Sequence, residues 1–268
     1  MRGEKIRVGD VDVSFHPAGH VLGSSQIRVE HEGNVWVCSG DYKRDDDPTC
    51  APFEVVPCDT FISEATFALP IYTWSSGADT ARDILAWWDS NVTAGRASVL
   101  FCYALGKAQR ILGELALQTD RPVYVHGAVE PLVEAYREAG INMLPTIKVS
   151  EVAKGASFKG ELILAPPSAN GSTWMRRFGD YETAFASGWM RVRGSRRRRG
   201  HDRGFVLSDH ADWKGLLSTI ADTGARRVLA THGFKDVLAR TCREAGLEAD
   251  VLQTEYDGET DGEEAEGT

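Results

Sequence analysis

The chain has 268 residues, of which 42% are hydrophobic, and this is enough apolar material for a sizeable core in one or two domains. No apolar run is long enough to cross a bilayer and the N-terminus lacks the apolar segment of a secretion signal, so we expect a cytoplasmic protein without a membrane partner. Five cysteines without Cys-x-x-Cys spacing argue against a disulfide framework and against a cysteine zinc ribbon.

Charge is unevenly distributed along the chain, and the net charge is −9. Residues 254–268 are mostly Glu, Asp, Gly and Thr, a composition typical of a disordered acidic tail. Residues 191–203 form a concentrated basic run, with the sequence RVRGSRRRRGHDR. An acidic protein with one basic stripe is compatible with binding a polyanion at a defined place.

The N-terminal part of the chain has the pattern of β-strands. Residues 11–15 are a predicted strand, and apolar residues alternate with polar ones around 27–29. Turn-forming residues at 32–34 and an apolar run at 35–38 complete a predicted hairpin. Residues 60–63 form a further predicted strand.

Two candidate ligands flank this hairpin. His20 lies in a Gly-His-Val-Leu-Gly turn before the first strand, and Asp41 lies in a Ser-Gly-Asp-Tyr turn after the second. Because adjacent antiparallel strands bring these two loops to the same end of the sheet, the pair predicts a partial site for zinc or a similar ion. Taken alone the signal is weak, since a His in a turn is more often hydrogen-bonded than a ligand, and an Asp after Ser-Gly is usually a turn residue.

Strands alternate with helices in the rest of the chain, and this pattern indicates βαβ units with a mostly parallel sheet. A helix start is predicted at Ser76–Asp79, which resembles a capping box. His210 and His232 each follow a predicted strand, at the end where α/β folds place ligands. The predicted helices are 81–90, 107–117, 129–138, 212–220 and 234–245, and the predicted strands are 98–103, 122–125, 161–165, 204–207, 227–230 and 251–252.

Five short motifs occur in a fixed order: HPAGHVLG, SGDYK, SEATF, LSDHADW and THG. In this order they resemble the metallo-β-lactamase fold nucleases of the β-CASP group, and more closely their ligase-associated DNA exonucleases. The segments LGKAQR and FASGWM are similar to that subfamily as well, and the resemblance extends to about Gln253.

This resemblance implies an α/β fold, the metallo-β-lactamase αββα sandwich with an inserted β-CASP domain. The implied domains are 1–66 (first part of the core, incomplete), 67–203 (insert), 204–253 (return to the core) and 254–268 (acidic tail).

The resemblance also implies the role of each site residue. His20 matches a metal ligand, Asp41 the carboxylate that bridges two metals, and His232 a ligand of the second metal. Glu64 matches an acid that orients His210, which is the implied general acid for the leaving oxygen. The implied cofactors are two divalent ions, zinc or manganese. We therefore expect all five residues to converge in the folded chain, with Asp41, His20 and His232 within the radius of a metal site and Glu64 in hydrogen-bond reach of His210.

Side chains for phosphate contacts are expected in the basic run and at the end of the second motif, because guanidinium and ammonium groups match phosphate oxygens. We expect structural or surface roles for His16, His31 and His201, and the role of His126 stays open. The expected nucleic-acid-binding residues are Arg196, Arg197, Arg198, Arg199 and Lys43.

One signature of the resembled nucleases, His-x-His-x-Asp-His upstream of the first motif, is absent from the chain. The resemblance therefore implies a sequence that starts inside the core, without the first strands and without several metal ligands. We expect a loosely held metal, poor solubility and impaired activity in this chain.

The predicted function is that of a metal-dependent phosphodiesterase, a DNA exonuclease in repair with a DNA ligase as functional partner. One alternative is an RNA 3′-end-processing ribonuclease of the same group, which His232 favours, because His at this motif is associated with RNA-processing members. Another alternative is a catalytically inactive nucleic-acid-binding module, which the missing signature favours. Activity on matched DNA and RNA, together with bound metal, discriminates between these three.

Overall fold

A computed structural model describes residues 4–192 and 200–253. The predicted phosphate contacts at residues 196–199 and the predicted acidic tail lie outside the described residues. The chain divides into two compact units. Among the described residues, the first unit contains 4–45, 50–73 and 209–253, whereas the second contains 46–49, 74–192 and 200–208. The sequence placed an insert at 67–203, and the assignment of these units to named domains stays a prediction.

The first unit is built on a seven-stranded mixed sheet with strand order β1-β2-β3-β4-β5-β12-β13. Strands β1 to β4 pair antiparallel, whereas β4–β5, β5–β12 and β12–β13 are parallel pairs. The early strands and the last strands of the chain therefore share one sheet. The strands of this unit are β1 (Ile6–Val8), β2 (Val11–Pro17), β3 (Ser25–His31), β4 (Asn34–Cys38), β5 (Thr60–Glu64), β12 (Arg227–Thr231) and β13 (Glu248–Val251).

The predicted hairpin is confirmed as the pair β3–β4. His31 pairs with Asn34, which leaves Glu32 and Gly33 as a two-residue turn. Both turn residues have positive φ, 49° and 79°, as the tight turn that matches strand twist requires. The turn fixes the register, so that Ile27 lies opposite Cys38 at the far end of the hairpin.

Two helices, α4 (Trp213–Thr223) and α5 (Lys235–Glu244), belong to the core of this unit. Asp212 caps α4 by accepting a 2.7 Å hydrogen bond from the backbone N–H of Gly215. The core contains strand residues and helix residues together, all fully buried. They include Val37, Phe61, Val228, Leu216 and Leu238.

A run of apolar side chains along β1 to β4 is exposed. Phe15 lies opposite Ile27 across the β2–β3 pair, and Trp36 lies opposite Val29 across the next pair. Residues of one strand alternate between faces, and Trp36 is 38% exposed whereas its neighbour Val37 is buried. We call this surface the apolar sheet face, and its exposed members are Ile6, Val8, Phe15, Ile27 and Trp36.

The second unit contains a six-stranded sheet with strand order β11-β10-β6-β9-β7-β8. All of its strand pairs are parallel, as the alternation of strands and helices predicts. Its strands are β6 (Ala97–Phe101), β7 (Val123–Val125), β8 (Thr146–Lys148), β9 (Leu162–Ala165), β10 (Tyr181–Ala186) and β11 (Arg203–Phe205), and its helices are α1 (Gly77–Ala94), α2 (Lys107–Ala116) and α3 (Glu130–Glu138).

Ser76 caps α1, as the sequence predicts. Its hydroxyl accepts a 3.1 Å hydrogen bond from the backbone N–H of Asp79 and contacts the Asp79 carboxylate at 2.8 Å. The helix is longer than predicted, and Gly95, whose φ of 68° suits a glycine, caps its C-terminal end. Within the described residues, no helix is both long enough and apolar enough to cross a membrane.

Candidate metal centre and active site

The loops on either side of the β3–β4 hairpin are tied to each other. The backbone N–H of Lys43 donates a 3.1 Å hydrogen bond to the carbonyl of Ala18. Gly19, with φ of 72°, lies so close to the Lys43 carbonyl that a Cβ would stand 2.5 Å from its oxygen. This close approach brings Nε2 of His20 to 4.0 Å from Oδ2 of Asp41.

His20 has a fixed orientation. Its Nδ1 lies 2.9 Å from the carbonyl oxygen of Asp209, and because a carbonyl only accepts, Nδ1 carries the proton. The Nε2 lone pair is therefore available on the side of Asp41. Burial lowers the pKa of His20, and the neighbouring His210 lowers it further. A neutral imidazole, the form that binds metals, is thus favoured.

Glu64 and His210 form a second pair. Glu64 ends β5 and is buried, with Nδ1 of His210 at 3.0 Å from both of its carboxylate oxygens. Burial raises the pKa of Glu64, but the charge of His210 and the hydrogen bonds from His210, Thr66 and Tyr42 outweigh it and leave the pKa below its usual value. An ionised Glu64 accepts a hydrogen bond from Nδ1 of His210, and this contact fixes the orientation of the ring.

These two pairs are in contact with each other. The ring centroids of His20 and His210 lie 4.7 Å apart. One possible ligand atom from each of His20, Asp41 and His210 lies within 4.8 Å of the other two. Two imidazoles and one carboxylate are donors that suit a divalent transition metal.

His232 is not a member of this three-residue group. It follows β12, in which Thr231 pairs with Glu64, so the sheet places His232 beside the segment that follows Glu64. Its φ is 59°, and Nδ1 lies 3.0 Å from the hydroxyl of Thr231. The sequence grouped His232 with His20 and Asp41, whereas the structure groups His210 with them. The predicted role of His232 as a metal ligand stays a prediction.

No protein-family model matches the chain. A probable DNA ligase of Opitutus terrae is 34% identical over 241 residues, which cover 90% of this chain and 23% of the relative. An RNase J-like protein of Methanocaldococcus jannaschii is 26% identical over 151 residues, covering 52% of this chain and 35% of the relative. Endoribonuclease YSH1 of Eremothecium gossypii is 30% identical over 109 residues, covering 40% of this chain and 14% of the relative. The chain thus spans about a quarter to a third of the first two relatives.

These relatives support the metallo-β-lactamase and β-CASP nuclease family. A protein of unknown function from Enterococcus faecalis V583 has a solved structure that matches with a TM-score of 0.63 and 13% sequence identity. The match covers 97% of this chain and 65% of that chain, and at this identity it shows a similar fold alone. Two of the relatives are named for ribonucleases, and the two sheets of this chain show a mixed α/β fold.

Lys43, a predicted phosphate contact, is fully buried. The backbone bond to Ala18 holds this segment. Because the whole residue is buried, its ammonium group is not on the surface in this structure. The predicted contact therefore stays a prediction.

The remaining histidines lie apart from the three-residue group. Nδ1 of His16 lies 2.8 Å from Glu54, Nε2 of His31 lies 2.9 Å from Asp10, and the ring of His201 stacks on Phe185. His126 lies against Trp174 with ring centroids 4.8 Å apart. These contacts are of the structural kind expected for His16, His31 and His201.

Sequence reasoning missed the backbone groups that orient the two site histidines. The Asp209 carbonyl holds His20, while the N–H groups of Tyr42 and Thr66 hold Glu64 at 2.9 and 3.3 Å. Asp209, Tyr42 and Thr66 lie inside the motifs LSDHADW, SGDYK and SEATF, and this was the available signal. Side-chain identity says nothing of a backbone contact.

Proposed function

We propose that the chain belongs to a metal-dependent phosphodiesterase, a DNA exonuclease that acts in ligase-associated repair. The observation that carries this proposal is the contact of the Glu64–His210 pair with the His20–Asp41 pair. A possible proton donor thus lies beside possible metal ligands, as cleavage of a phosphodiester requires. The relative named as RNase J-like supports this reaction class, and the relative named as a probable DNA ligase supports the link to ligation.

In this proposal the chain's own residues handle the proton of the leaving group. His210 donates from Nε2 to the departing oxygen, and Glu64 holds the opposite nitrogen and stabilises the charged ring. His20, Asp41 and His232 hold two divalent ions, zinc or manganese. When bound, such ions neutralise phosphate charge and lower the pKa of a water molecule.

DNA is favoured over RNA as substrate because the similarity to the probable DNA ligase extends over 90% of this chain. A ribonuclease that processes RNA 3′ ends is the second candidate, and the RNase J-like protein and endoribonuclease YSH1 favour it. An inactive nucleic-acid-binding module is the third candidate.

The first prediction tests this function with end-labelled DNA and RNA oligonucleotides of matched sequence. We expect the 268-residue chain to shorten DNA slowly, and only when Mn²⁺ or Zn²⁺ is supplied. His210→Ala should reduce the rate by about 10²–10⁴-fold, the usual contribution of a positioned proton donor. His31→Ala, which changes an exposed histidine paired with Asp10, is the matched control and should keep the wild-type rate.

Three outcomes would contradict the proposal. Cleavage of RNA alone would favour the ribonuclease. Binding of both oligonucleotides without turnover at any metal concentration would favour the inactive module. Turnover that survives His210→Ala would remove this residue from the reaction.

A further inference from the structure

The parallel sheet of the second unit has a point at which the chain leaves two neighbouring strands in opposite directions. Strands β7 and β9 are neighbours. After β7 the chain continues to β8, on the far side of β7, whereas after β9 it continues to β10, on the far side of β9 beyond β6. Parallel sheets bind ligands outside the carboxyl ends of their strands at such a point. We call residues 126–129 and 166–180, which follow β7 and β9, the switch-point loops.

The two switch-point loops each contribute one ring to a single place. The backbone N–H of His126 donates a 2.9 Å hydrogen bond to the carbonyl of Leu164, which holds the ends of β7 and β9 side by side. The ring of Trp174, from the second loop, meets the ring of His126 with centroids 4.8 Å apart and an interplanar angle of 72°. Both side chains are partly exposed. The carboxyl edge of this sheet therefore presents two aromatic rings to solvent.

The ring of Trp174 is held in place from below. It packs against Phe178 with centroids 4.6 Å apart, and Phe178 packs against Phe158 at 5.1 Å. Phe158 in turn contacts Tyr124 of β7 at 5.1 Å. Phe158 and Phe178 are buried, so this row of rings is anchored at one end and open to solvent at the other. A platform that is already ordered saves a ligand much of the cost of ordering it on binding.

His126 offers a hydrogen-bond donor beside this platform. Its Nδ1 accepts a 3.1 Å hydrogen bond from the backbone N–H of Ala128, so the neutral ring carries its proton on Nε2. Burial lowers the pKa of His126 and thus favours this neutral ring. Among the residues that the structure describes, none accepts a hydrogen bond from Nε2. This N–H group can therefore donate to an oxygen or nitrogen of a ligand.

We propose that the switch-point loops bind an unpaired base of a single-stranded nucleic acid, which stacks on Trp174 and accepts a hydrogen bond from His126. The inference rests on the proposed function and adds to it the form of the substrate, a strand with unpaired bases. Aromatic side chains bind the bases of single strands by stacking, with little dependence on sequence, because every base has a π-face. Within a duplex these faces are covered by the neighbouring base pairs.

The charge of the switch-point loops suits a polyanion. They contain two arginines, Arg176 and Arg177, and one acidic residue, Asp180. The carbonyl of Asp180 accepts a hydrogen bond from the N–H of Ala97 at the start of β6, so this residue lies at the opposite edge of the sheet. Positive charge thus prevails near Trp174, although the net charge of the chain is −9. Arg176 is exposed and follows Trp174 by two positions, which suits it for a phosphate of the bound strand.

The second prediction is tested by fluorescence anisotropy of a labelled oligothymidylate titrated with the 268-residue chain, with EDTA present to prevent metal-dependent cleavage. Trp174→Leu should weaken binding by about 5–150-fold, the usual effect of removing a stacking ring. His126→Ala should weaken it by about 2–10-fold through the loss of one hydrogen bond. Trp36→Ala, which changes an exposed tryptophan of the first unit, is the matched control and should bind like the wild type.

Trp174→Phe is the deciding variant. Phenylalanine keeps a ring for stacking, whereas leucine keeps only the apolar contact with Phe178, so Trp174→Phe should retain most of the affinity that Trp174→Leu loses. Equal binding by the two variants would overturn the proposal, because the ring would then serve packing alone.

The salt dependence separates stacking from charge. Trp174→Leu should weaken binding at every salt concentration and leave the slope of log K against log[salt] unchanged. Arg176→Gln should reduce that slope by up to about 0.7, the value for one phosphate contact on a single strand. A reduced slope in Trp174→Leu would contradict the assignment of stacking to this residue.

Two further comparisons distinguish this inference from the proposed function. A duplex that binds as tightly as the single strand would contradict the inference, since paired bases do not offer their faces. If the chain binds the single strand through Trp174 but cleaves neither DNA nor RNA when Mn²⁺ or Zn²⁺ is supplied, the proposed function fails and the inference stands. If it cleaves DNA, and Trp174→Leu binds and cleaves like the wild type, the inference fails and the function stands.

Discussion

The Glu64 carboxylate accepts hydrogen bonds from three N–H groups that come from separate segments of the first unit. The donors are the backbone of Tyr42, the backbone of Thr66 and the ring of His210. One carboxylate thus joins the segment after β4, the segment after β5 and the segment before α4. A replacement side chain that cannot accept all three hydrogen bonds leaves a buried N–H donor without a partner, and this destabilises the folded state.

The third prediction is that Glu64→Gln lowers the free energy of unfolding at neutral pH by about 1–3 kcal/mol, because its amide NH₂ must face one of these donors. Urea unfolding followed by circular dichroism measures the change. Glu134→Gln is the matched control: this residue pairs with Lys148 on the surface, and such pairs contribute about 0–1 kcal/mol. Equal stability of Glu64→Gln and the wild type would contradict the prediction.

The same carboxylate makes stability depend on pH. The pKa of Glu64 lies below its ordinary value of 4.5 because the His210 charge and three hydrogen bonds outweigh the effect of burial. A group with a lowered pKa in the folded state stabilises the protein above its unfolded pKa, and this contribution is lost as the pH falls through the folded pKa. The wild type should therefore lose stability on acidification below about pH 4.5, and this component should be absent from Glu64→Gln.

At the scale of secondary-structure elements, the ends of β5 and β12 approach each other closely. Gly233 follows β12 with φ of 50°, and a Cβ there would lie 2.5 Å from the oxygen of Ala65 and from Cα of Thr66. The next residue, Phe234, donates a 2.8 Å hydrogen bond to the same Ala65 oxygen. A glycine is therefore required for two reasons, backbone conformation and lack of space.

The fourth prediction compares two glycines of positive φ. Gly233→Ala should lower the free energy of unfolding by about 2–4 kcal/mol, through backbone strain and overpacking. Gly246→Ala should lower it by only about 1 kcal/mol, since Gly246 has φ of 88° but no atom within 4 Å of its Cβ position. Thermal or urea unfolding measures both. Equal effects would show that space at Gly233 does not limit the side chain.

Much of the element pattern was predictable because it follows from local periodicity and capping. Ser76, the Glu32-Gly33 turn and the helix 107–116 are examples.

Strand β10 (Tyr181–Ala186) was missed, although it is the neighbour of β6 in the second sheet. Its four buried residues at the C-terminal end show no alternation, because a strand within a parallel sheet is covered on both faces. Strands β1 and β8, with three residues each, were missed as well.

The candidate site was predictable in part. The hairpin pattern predicts that His20 and Asp41 share one end of the sheet, and motif order pairs Glu64 with His210. Motif order also implies that all five candidates converge, but it does not give the orientation of the rings, which depends on tertiary contacts such as the bond from His20 to the Asp209 carbonyl. Pattern and spacing identify candidate side chains, whereas the direction of a lone pair depends on tertiary hydrogen bonds.

At the scale of the whole molecule, the apolar sheet face exposes several large hydrophobic side chains. Phe15 and Ile27 are cross-strand partners and are 40% and 41% exposed. Surfaces of this kind promote association, and strand edges such as β1 add unpaired backbone groups. We expect the 268-residue chain to self-associate as its concentration rises.

The fifth prediction is that Phe15→Thr combined with Ile27→Thr reduces this association. Threonine keeps a high strand propensity and removes exposed apolar area, so the strands should persist. Sedimentation velocity over a range of concentrations measures the effect. Val37→Thr on the buried face is the contrasting variant and should destabilise the fold by about 1–3 kcal/mol because it buries a hydroxyl. A wild-type chain that stays monomeric at high concentration would contradict the prediction.

The pairing of β5 with β12 has a consequence for the order of folding during synthesis. Residues 60–64 leave the ribosome early, yet their partners at 227–231 come after the whole of residues 74–208. During that interval β5 has only its β4 neighbour, and Glu64 has no His210 to meet. Contacts so distant in sequence form slowly, and nascent chains fold their N-terminal parts first. A ribosome-stalled chain that ends near residue 205 would thus contain nearly all of the second unit and still lack one of the three candidate ligands.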